Sequence, residues 1–173
     1  MPELWDVYDI NRNKTGRFHE RGTPLKDGDY HLVVNVWIVN SKGEFLISKR
    51  DSKVANGMWQ ATGGAAVAGD NSLTTALKEV QEELGIKLDA KNGLLFKQYR
   101  FSHISFTGNA HCDIWLFRQD VDISSVVLQP GETCDAMWAS KEIIKQMIDE
   151  NSFMSEWYPY LDELFEYCVE NLK

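Results

Sequence analysis

Three glutamates stand close together in the middle of the chain, at positions 79, 82 and 83. On a helix, Glu79 neighbours both Glu82 and Glu83, because side chains three and four residues apart lie about one turn from each other. Like charges at that spacing repel by roughly 0.2–0.5 kcal/mol per pair, and by more where they are partly buried. Lys78 is placed to pair with Glu82, but the other charges need a further cation, and oxygen ligands suit Mg²⁺ or Mn²⁺. The cluster therefore indicates a divalent-metal site, with a solvated acidic surface as the alternative.

A helix over residues 72–84 is predicted to carry these acids. Asn71 or Ser72 can cap its start, and Gly85 suits its end. At about 100° per residue, five apolar side chains fall on one arc, which is the predicted core face. These are Leu73, Ala76, Leu77, Val80 and Leu84. The glutamates fall in the neighbouring arc and follow a double glycine after a strand, a context that favours a site over a solvated surface.

The rest of the chain alternates between strand and helix patterns in mixed order. Strands are predicted at residues 4–10, 17–20, 32–39, 44–49, 58–62, 94–105, 111–117 and 136–139. The first two form a hairpin, residues 32–39 are a buried central strand, Gly63 and Gly64 end the strand at 58–62, and residues 107–109 form a turn. Two more helices are predicted at residues 140–150 and 155–172. This order predicts an α/β sandwich around a mixed sheet.

Composition and charge exclude several classes of protein. The chain has 173 residues, of which 43% are hydrophobic and 25% charged, as expected for one folded domain. Its net charge of −8 argues against binding a nucleic-acid polymer. The three cysteines have no metal-ligand spacing and are expected to be free thiols. Without a basic, apolar start or a long apolar run, the expectation is a cytoplasmic protein that does not enter a membrane.

The spacing around the acids resembles the Nudix box, G-x5-E-x7-R-E-U-x-E-E-x-G-U, in which U is a bulky apolar residue. Residues 64–86 meet this spacing at every step, with Gly64, Asp70, Lys78-Glu79-Val80, Glu82-Glu83 and Gly85-Ile86. Asp70 stands where the family has Glu, and Lys78 stands where it has Arg and so lacks the planar guanidinium fork. The resemblance, which extends from about His31 to Trp138, implies a single Nudix domain over residues 1–173. It would be an α/β/α sandwich with an N-terminal β-hairpin extension at 1–30 and C-terminal helices at 140–172.

The resemblance also implies roles for the acids. Glu79, Glu82 and Glu83 would hold Mg²⁺, or Mn²⁺, against the diphosphate of a substrate and take part in catalysis. Two carboxylates are candidates for the base that accepts the proton of the attacking water, namely Glu79 and Glu132. Glu132 lies in the segment 129–132, which is similar to a family loop that often supplies a further glutamate; an exposed loop acid is the alternative.

Substrate-binding candidates come from two places. Gly63 and Gly64 allow close backbone approach, and the resemblance implies that a carbonyl near them is an extra ligand. The segment 4–28 lies outside the minimal family core and is rich in basic residues, of which Arg17 and Arg21 are predicted to grip terminal phosphates. A surface hairpin with solvated charges is the alternative.

Hydrolysis of a nucleoside diphosphate linked to another group is the function that the resemblance favours. The partner would be a small phosphorylated substrate, and a homodimer is expected at the level of the family. The N-terminal segment also looks like the branch of proteins similar to isopentenyl diphosphate isomerase, which relies on a catalytic cysteine and a metal-ligand histidine after the strand that ends in Trp. Residues 59–65 contain neither, which favours hydrolysis. A weakly catalytic nucleotide-binding module, suggested by Asp70 and Lys78, is a further alternative.

Several other residues suit chemistry but are predicted to be structural. His31, His103 and His111 lack ligand spacing. Cys112 is expected to be a small buried residue. The aromatic residues Phe101, Phe106 and Trp115 have the chemistry to stack on a nucleobase, but strand aromatics are more often core.

Overall fold

The central element of the sheet is a ten-residue strand that pairs with several other strands. The computed structural model describes residues 1–104 and 108–171, and omits the side chains of residues 103 and 104. Within this part of the chain the strands are β1 (Leu4–Tyr8), β2 (Lys14–Glu20), β3 (Tyr30–Val39), β4 (Phe45–Arg50), β5 (Trp59–Gln60), β6 (Thr62–Ala65), β7 (Gly93–Ile104), β8 (Gly108–Arg118) and β9 (Thr133–Ala139). Strand β3 pairs parallel with β8 and antiparallel with β1, β4 and β6. The sheet is mixed, as predicted.

Helices cover both faces of the sheet. They are α1 (Ser72–Leu84), α2 (Lys141–Asp149) and α3 (Leu161–Asn171). Side chains of β3 alternate between two cores, since successive residues of a strand point to opposite faces. Val34, Val36 and Ile38 pack with α1, whereas Trp37 and Val39 pack with α2 and α3. The architecture is therefore the α/β/α sandwich that the sequence predicts.

Helix α1 has the predicted bounds and both predicted ends. The side chain of Asn71 accepts a hydrogen bond from the backbone N–H of Thr74 at 2.8 Å. Gly85 ends the helix with φ 68°, a left-handed conformation that favours glycine. The buried Ala76 and Val80 anchor one face in the core. The helix is therefore fixed at both ends and along its apolar side.

The N-terminal hairpin β1–β2 is attached to the domain at its turn. Arg12 donates to the carboxylate of Asp113 at 2.6 Å and to two backbone carbonyls of strands β7 and β8. His111 Nε2 lies 2.7 Å from the carbonyl oxygen of Asp9. On the hairpin's first strand, Trp5 stacks on His31 with ring centroids 4.1 Å apart. The extension is therefore packed against the domain at its turn and through Trp5.

Three local predictions were wrong. The helix expected at 155–172 is a 3-10 turn at Ser155–Trp157 followed by α3, because Pro159 disfavours helical backbone at Tyr158; residues 172 and 173 lie outside the described residues. Gly63 and Gly64 do not end a strand but lie within β6, because β3 supplies a partner for their backbone groups. Gly108 and Asn109 begin β8 instead of forming a turn, and residues 105–107 lie outside the described part.

None of the helices described is long and apolar enough to cross a bilayer.

Removing the helix cap is expected to destabilise the domain. In Asn71→Ala the N–H of Thr74 loses its partner, so the free energy of unfolding should fall by about 1 kcal/mol. Asn71→Ser keeps a capping oxygen and should stay close to the wild type. Urea unfolding followed by circular dichroism measures both; equal stability of the alanine and serine variants would show that the cap does not stabilise α1.

Candidate active site

The three glutamates of α1 differ in burial. Glu83 is buried, with 8% of its surface exposed, and Glu79 is half-buried, whereas Glu82 is exposed. One carboxylate oxygen of Glu83, Oε2, is buried and has no hydrogen-bond partner in the described part of the chain. An unpaired carboxylate oxygen in such a place is costly unless a proton or a cation meets it.

Burial raises the pKa of both inner carboxylates. The pKa of Glu79 rises to about 7 through burial and then through the charge of Glu82, while Arg21 lowers it. The pKa of Glu83 rises to about 8 through burial, then through Glu79 and Glu132, while Arg50 lowers it. The structure thus brings the predicted acids into one electrostatic cluster.

Glu132 lies beside this cluster because its loop is tied to α1. The main-chain carbonyl of Glu83 accepts hydrogen bonds from the N–H of Gln129 at 3.1 Å and from Thr133 Oγ1 at 3.0 Å. The carboxylate of Glu132 itself is exposed, and its charge raises the pKa of both Glu79 and Glu83. Glu132 therefore belongs to the same electrostatic cluster as the helix acids.

Gly64 leaves room for the carboxylate of Glu79. A Cβ atom built on Gly64 would overlap that carboxylate, whereas one on Gly63 would overlap the carbonyl oxygen of Val34 on the central strand. The two glycines therefore serve different purposes. Gly64 makes room for the side chain of Glu79, and Gly63 permits close packing of two strands.

Two arginines on different structural elements act electrostatically on the acids. Arg21 comes from the hairpin, where it also bonds Glu3 at 3.1 Å, and Arg50 ends strand β4. Arg17, in contrast, forms two hydrogen bonds of 2.6 Å with Asp29, and it does not line the cavity described below. The sequence prediction missed Arg50, although its place directly after a predicted strand and before a polar loop was an available signal.

A cavity of about 670 Å³ opens beside Gly64, whose backbone lies against the carboxylate of Glu79. Gly63 and Gly64 line it, together with Arg21 and Arg50. A cavity of this size holds a ligand as large as a nucleotide. The cavity wall therefore carries two arginines, and through Gly64 it lies close to the carboxylate of Glu79.

The two residues that depart from the box consensus pair with each other. Lys78 Nζ donates to the carboxylate of Asp70 at 2.7 Å. The predicted pair of Lys78 with Glu82 is therefore wrong. The carboxylate of Asp70 and the amine of Lys78 thus link the loop before α1 to the helix itself. Glu82 is left without a neutralising partner on its own helix.

The donor set fits a hard divalent cation. Carboxylate oxygens are the ligands that Mg²⁺ and Mn²⁺ prefer, and the orphaned oxygen of Glu83 lies within the set. Across residues 1–104 and 108–171, no three acidic, His or Cys side chains already converge on a single point. Binding a metal would therefore require a side-chain rotation, for which the exposed Glu82 is free.

Comparison with known proteins decides the family. The NUDIX domain matches residues 29–161. A protein described as an uncharacterized Nudix hydrolase, from Listeria monocytogenes, is 36% identical over 166 residues, which cover 94% of this chain and 94% of that protein. The chain belongs to the Nudix family. It is a Nudix hydrolase, an enzyme of the pyrophosphohydrolase type, and the match begins after the hairpin that supplies Arg21.

Other similar proteins include enzymes with different chemistry. An isopentenyl-diphosphate Delta-isomerase from Paenarthrobacter aurescens is 26% identical over 162 residues, covering 90% of this chain and 84% of that one. A solved structure from Deinococcus radiodurans has a TM-score of 0.72 at 21% identity and covers 96% and 99% of the two chains. A Francisella tularensis NMN adenylyltransferase/ADP ribose pyrophosphatase, complexed with AMP and a Mn ion, has a TM-score of 0.64 at 20% identity over 84% of this chain and 43% of that one. These two structures share the fold of this Nudix hydrolase.

The histidines and aromatic residues lie in varied places. His31 is buried and lines the cavity, and neither ring nitrogen has a partner in the described structure; burial lowers its pKa to about 4. His111 contacts the hairpin.

Phe101 lines the cavity, whereas Trp115 packs with the α1 core and bonds Ser72. The side chain of His103 and the residue Phe106 lie outside the described part of the chain.

Substituting the two glycines should separate activity from stability. Gly64→Ala displaces the carboxylate of Glu79, so kcat/KM should fall by about a hundredfold with little loss of stability. Gly63→Ala presses on the backbone of Val34 and should reduce the free energy of unfolding by at least about 1 kcal/mol. Steady-state kinetics and urea unfolding of both variants provide the measurement. Wild-type activity in Gly64→Ala would show that the position of Glu79 is immaterial.

The metal-free protein should lose stability as pH rises. The pKa of about 7 for Glu79 and about 8 for Glu83 exceeds the ordinary value of 4.5, so the folded state binds these protons more tightly than the unfolded chain does. Their contribution is complete below about pH 4.5 and is lost as pH rises through about 7 and 8. Added Mg²⁺ or Mn²⁺ replaces the protons, so it should raise the Tm more at about pH 8 than at about pH 5.

Thermal melts in EDTA and in Mg²⁺ across this pH range test the effect. In Glu83→Gln both the pH dependence and the metal effect should shrink. A Tm in EDTA that does not change with pH, or an equal metal effect at both pH values, would contradict the assignment.

Proposed function

We propose that this Nudix hydrolase uses Mg²⁺, with Mn²⁺ as a substitute, to cleave the diphosphate linkage of a nucleoside diphosphate joined to another group. The observation that carries the proposal is the buried Glu83 and the half-buried Glu79, which lie close to a cavity lined by Arg21 and Arg50. The negative charges of the glutamates favour a bound cation, and the positive charges of the arginines favour a bound anion. A metal-bound diphosphate supplies both charges.

Each side chain then has a task. Glu82 and Glu83, with Glu79, would hold the cation, and a carbonyl near Gly63 and Gly64 is proposed as a further ligand. The cation, when bound, neutralises phosphate charge and makes phosphorus open to attack by water. Arg21 is proposed to contact a phosphate, since its bond to Glu3 is exposed and readily exchanged. Arg17, proposed from the sequence for the same task, would first have to leave Asp29.

Glu79 is the better candidate for the base. Its pKa of about 7 suits proton acceptance near neutral pH, and Gly64, which has no Cβ atom, leaves room for its carboxylate. Glu132 is exposed on a loop tied to α1 and is the second candidate. The ligands named for the Francisella neighbour, AMP and Mn, support the same class of substrate and metal.

The isomerase alternative meets an obstacle in the cavity itself. Cys112 lines the cavity, but burial raises its pKa to about 12, so the thiol stays protonated. Glu79, Glu82 and Glu83 share one helix, which supports the proposal of metal-assisted hydrolysis. Solvent-hydrogen exchange into isopentenyl diphosphate without phosphate release would support the isomerase.

A substrate panel tests the proposed hydrolysis. Nucleoside diphosphate sugars, dinucleoside polyphosphates and isoprenoid diphosphates are incubated with Mg²⁺, and products are identified by mass spectrometry. The double variant Glu82→Gln with Glu83→Gln should lose activity by more than about a hundredfold, because it loses two proposed ligands. Full activity of this variant, or no Mg²⁺-dependent cleavage of any substrate, would overturn the proposal. Tight binding without turnover would select the non-catalytic module.

The base is identified by comparing two variants. Loss of the true base should lower kcat by about 10²–10⁴-fold and remove the acidic limb of the pH profile, because proton acceptance requires the ionised carboxylate. We expect this for Glu79→Gln, and a smaller effect for Glu132→Gln. Glu142→Gln, at an exposed position in the first turn of α2, is the matched control and should behave as wild type. A larger kcat loss in Glu132→Gln would assign the base to the loop.

A further inference from the structure

One wall of the cavity is built from an arginine stacked on a tryptophan. The Cζ atom of Arg50 lies 5.1 Å from the ring centroid of Trp157, and both residues line the cavity. We call Arg50, Gln60 and Trp157 the Arg50–Trp157 wall. Gln60 and Trp157 take no part in the proposed cleavage step.

Arg50 is held in one orientation by three hydrogen bonds. Its Nε donates to the carbonyl of Val54 at 2.8 Å, and its two terminal nitrogens donate to Gln60 Oε1 and Ser52 Oγ, each at 2.7 Å. A guanidinium fixed in this way is a rigid, flat cation. Such a plane favours stacking with another flat, π-rich group.

Gln60 presents a directed hydrogen-bond donor. It is 4% exposed, and its Oε1 accepts from Arg50, which fixes the orientation of the amide because Nε2 opposite Arg50 would place two donors together. In the described structure Nε2 has no partner. The amide is therefore free to donate to an acceptor on a molecule in the cavity.

Several apolar side chains line the same cavity as this wall, together with the acidic Glu156. Met154 and Phe101 line the same cavity, with Val54 and Ala55 from the loop after β4. Arg50 also lowers the pKa of Glu83, so the wall lies within electrostatic range of the proposed metal ligands. A ligand that contacts the wall with one end can place its diphosphate near the metal ion that the acids are proposed to hold.

We propose that the Arg50–Trp157 wall binds a planar heteroaromatic ring, namely the nucleobase of the substrate, with Gln60 donating to an acceptor on the ring. An isoprenyl chain offers neither a flat face nor an acceptor, and a sugar offers acceptors without a flat face. The inference rests on the proposed function for the diphosphate portion of the substrate. It selects nucleotides from the panel as the preferred class.

Metal-free binding tests the ring subsite apart from hydrolysis. With EDTA present, titration calorimetry measures Kd for AMP, GMP, CMP and UMP against ribose 5-phosphate and isopentenyl monophosphate. At least one nucleotide should bind about tenfold more tightly than either ring-free phosphate, because stacking of one base contributes on that scale. Equal affinities for ringed and ring-free phosphates would overturn the proposal.

Variants of the Arg50–Trp157 wall test whether it causes the tighter binding of nucleotides. Trp157→Leu and Gln60→Leu should each remove most of the nucleotide advantage while leaving the Kd of ribose 5-phosphate unchanged, and Trp157→Phe should retain most of it. Trp59→Leu is the matched control, because Trp59 also carries a cation, Lys49 at 5.9 Å, but does not line the cavity. An equal loss in Trp59→Leu, or none in the wall variants, would overturn the assignment. Circular dichroism confirms folding, and Trp157→Phe with Gln60→Leu decides if Trp157→Leu does not fold.

Failure of this inference is distinguishable from failure of the proposed function. Mg²⁺-dependent cleavage of isopentenyl diphosphate and nucleotides with equal kcat/KM, and no nucleotide advantage in EDTA, would leave hydrolysis in place and remove the ring subsite. A nucleotide advantage that Trp157→Leu abolishes, without cleavage of any diphosphate, would retain the ring subsite and remove the hydrolysis.

Discussion

Negative charge held out of water on a fixed helix is the constraint around which this site is organised. Glu83 is buried with an unpaired oxygen, and Glu79 fits against the bare backbone of Gly64. Helix α1 cannot move to expose them, since Asn71 and Gly85 define its ends and its apolar side is packed in the core. The carboxylates therefore require protons or a cation, and the raised pKa values express the same requirement.

The basic residues nearby form two groups with different tasks. Arg12, Arg17 and Lys78 are each bonded to an aspartate, and they hold the hairpin, its connection to β3 and the box loop in place. Arg21 and Arg50 line the cavity and act electrostatically on the glutamates. The pairing of Lys78 with Asp70 explains how two departures from the box consensus coexist. The shortened acid meets the flexible amine, so neither charge is left alone.

Much of the scaffold was accessible from local patterns. The bounds of α1, the central strand and the N-terminal hairpin follow from spacing, caps and β-branched runs, and the comparisons confirm the family that the box indicates. The predictions that failed concern places where a distant strand or a single proline decides. Gly63 and Gly64 lie in a strand because β3 pairs with them, and the last helix begins late because Pro159 interrupts it.

The sequence by itself determined that three carboxylates share one helix beside its core face, because helical spacing and apolar periodicity are local properties. It did not determine which basic residues would lie near these carboxylates, since Arg17 and Arg21 were equally good candidates for binding phosphate from the sequence alone. Only the tertiary structure separated these two. It also brought Arg50 within electrostatic range of Glu83 and placed it over the ring of Trp157, more than a hundred residues away in the chain. Contacts between distant segments depend on how the sheet is ordered and how the helices cover it, and no local spacing encodes that order.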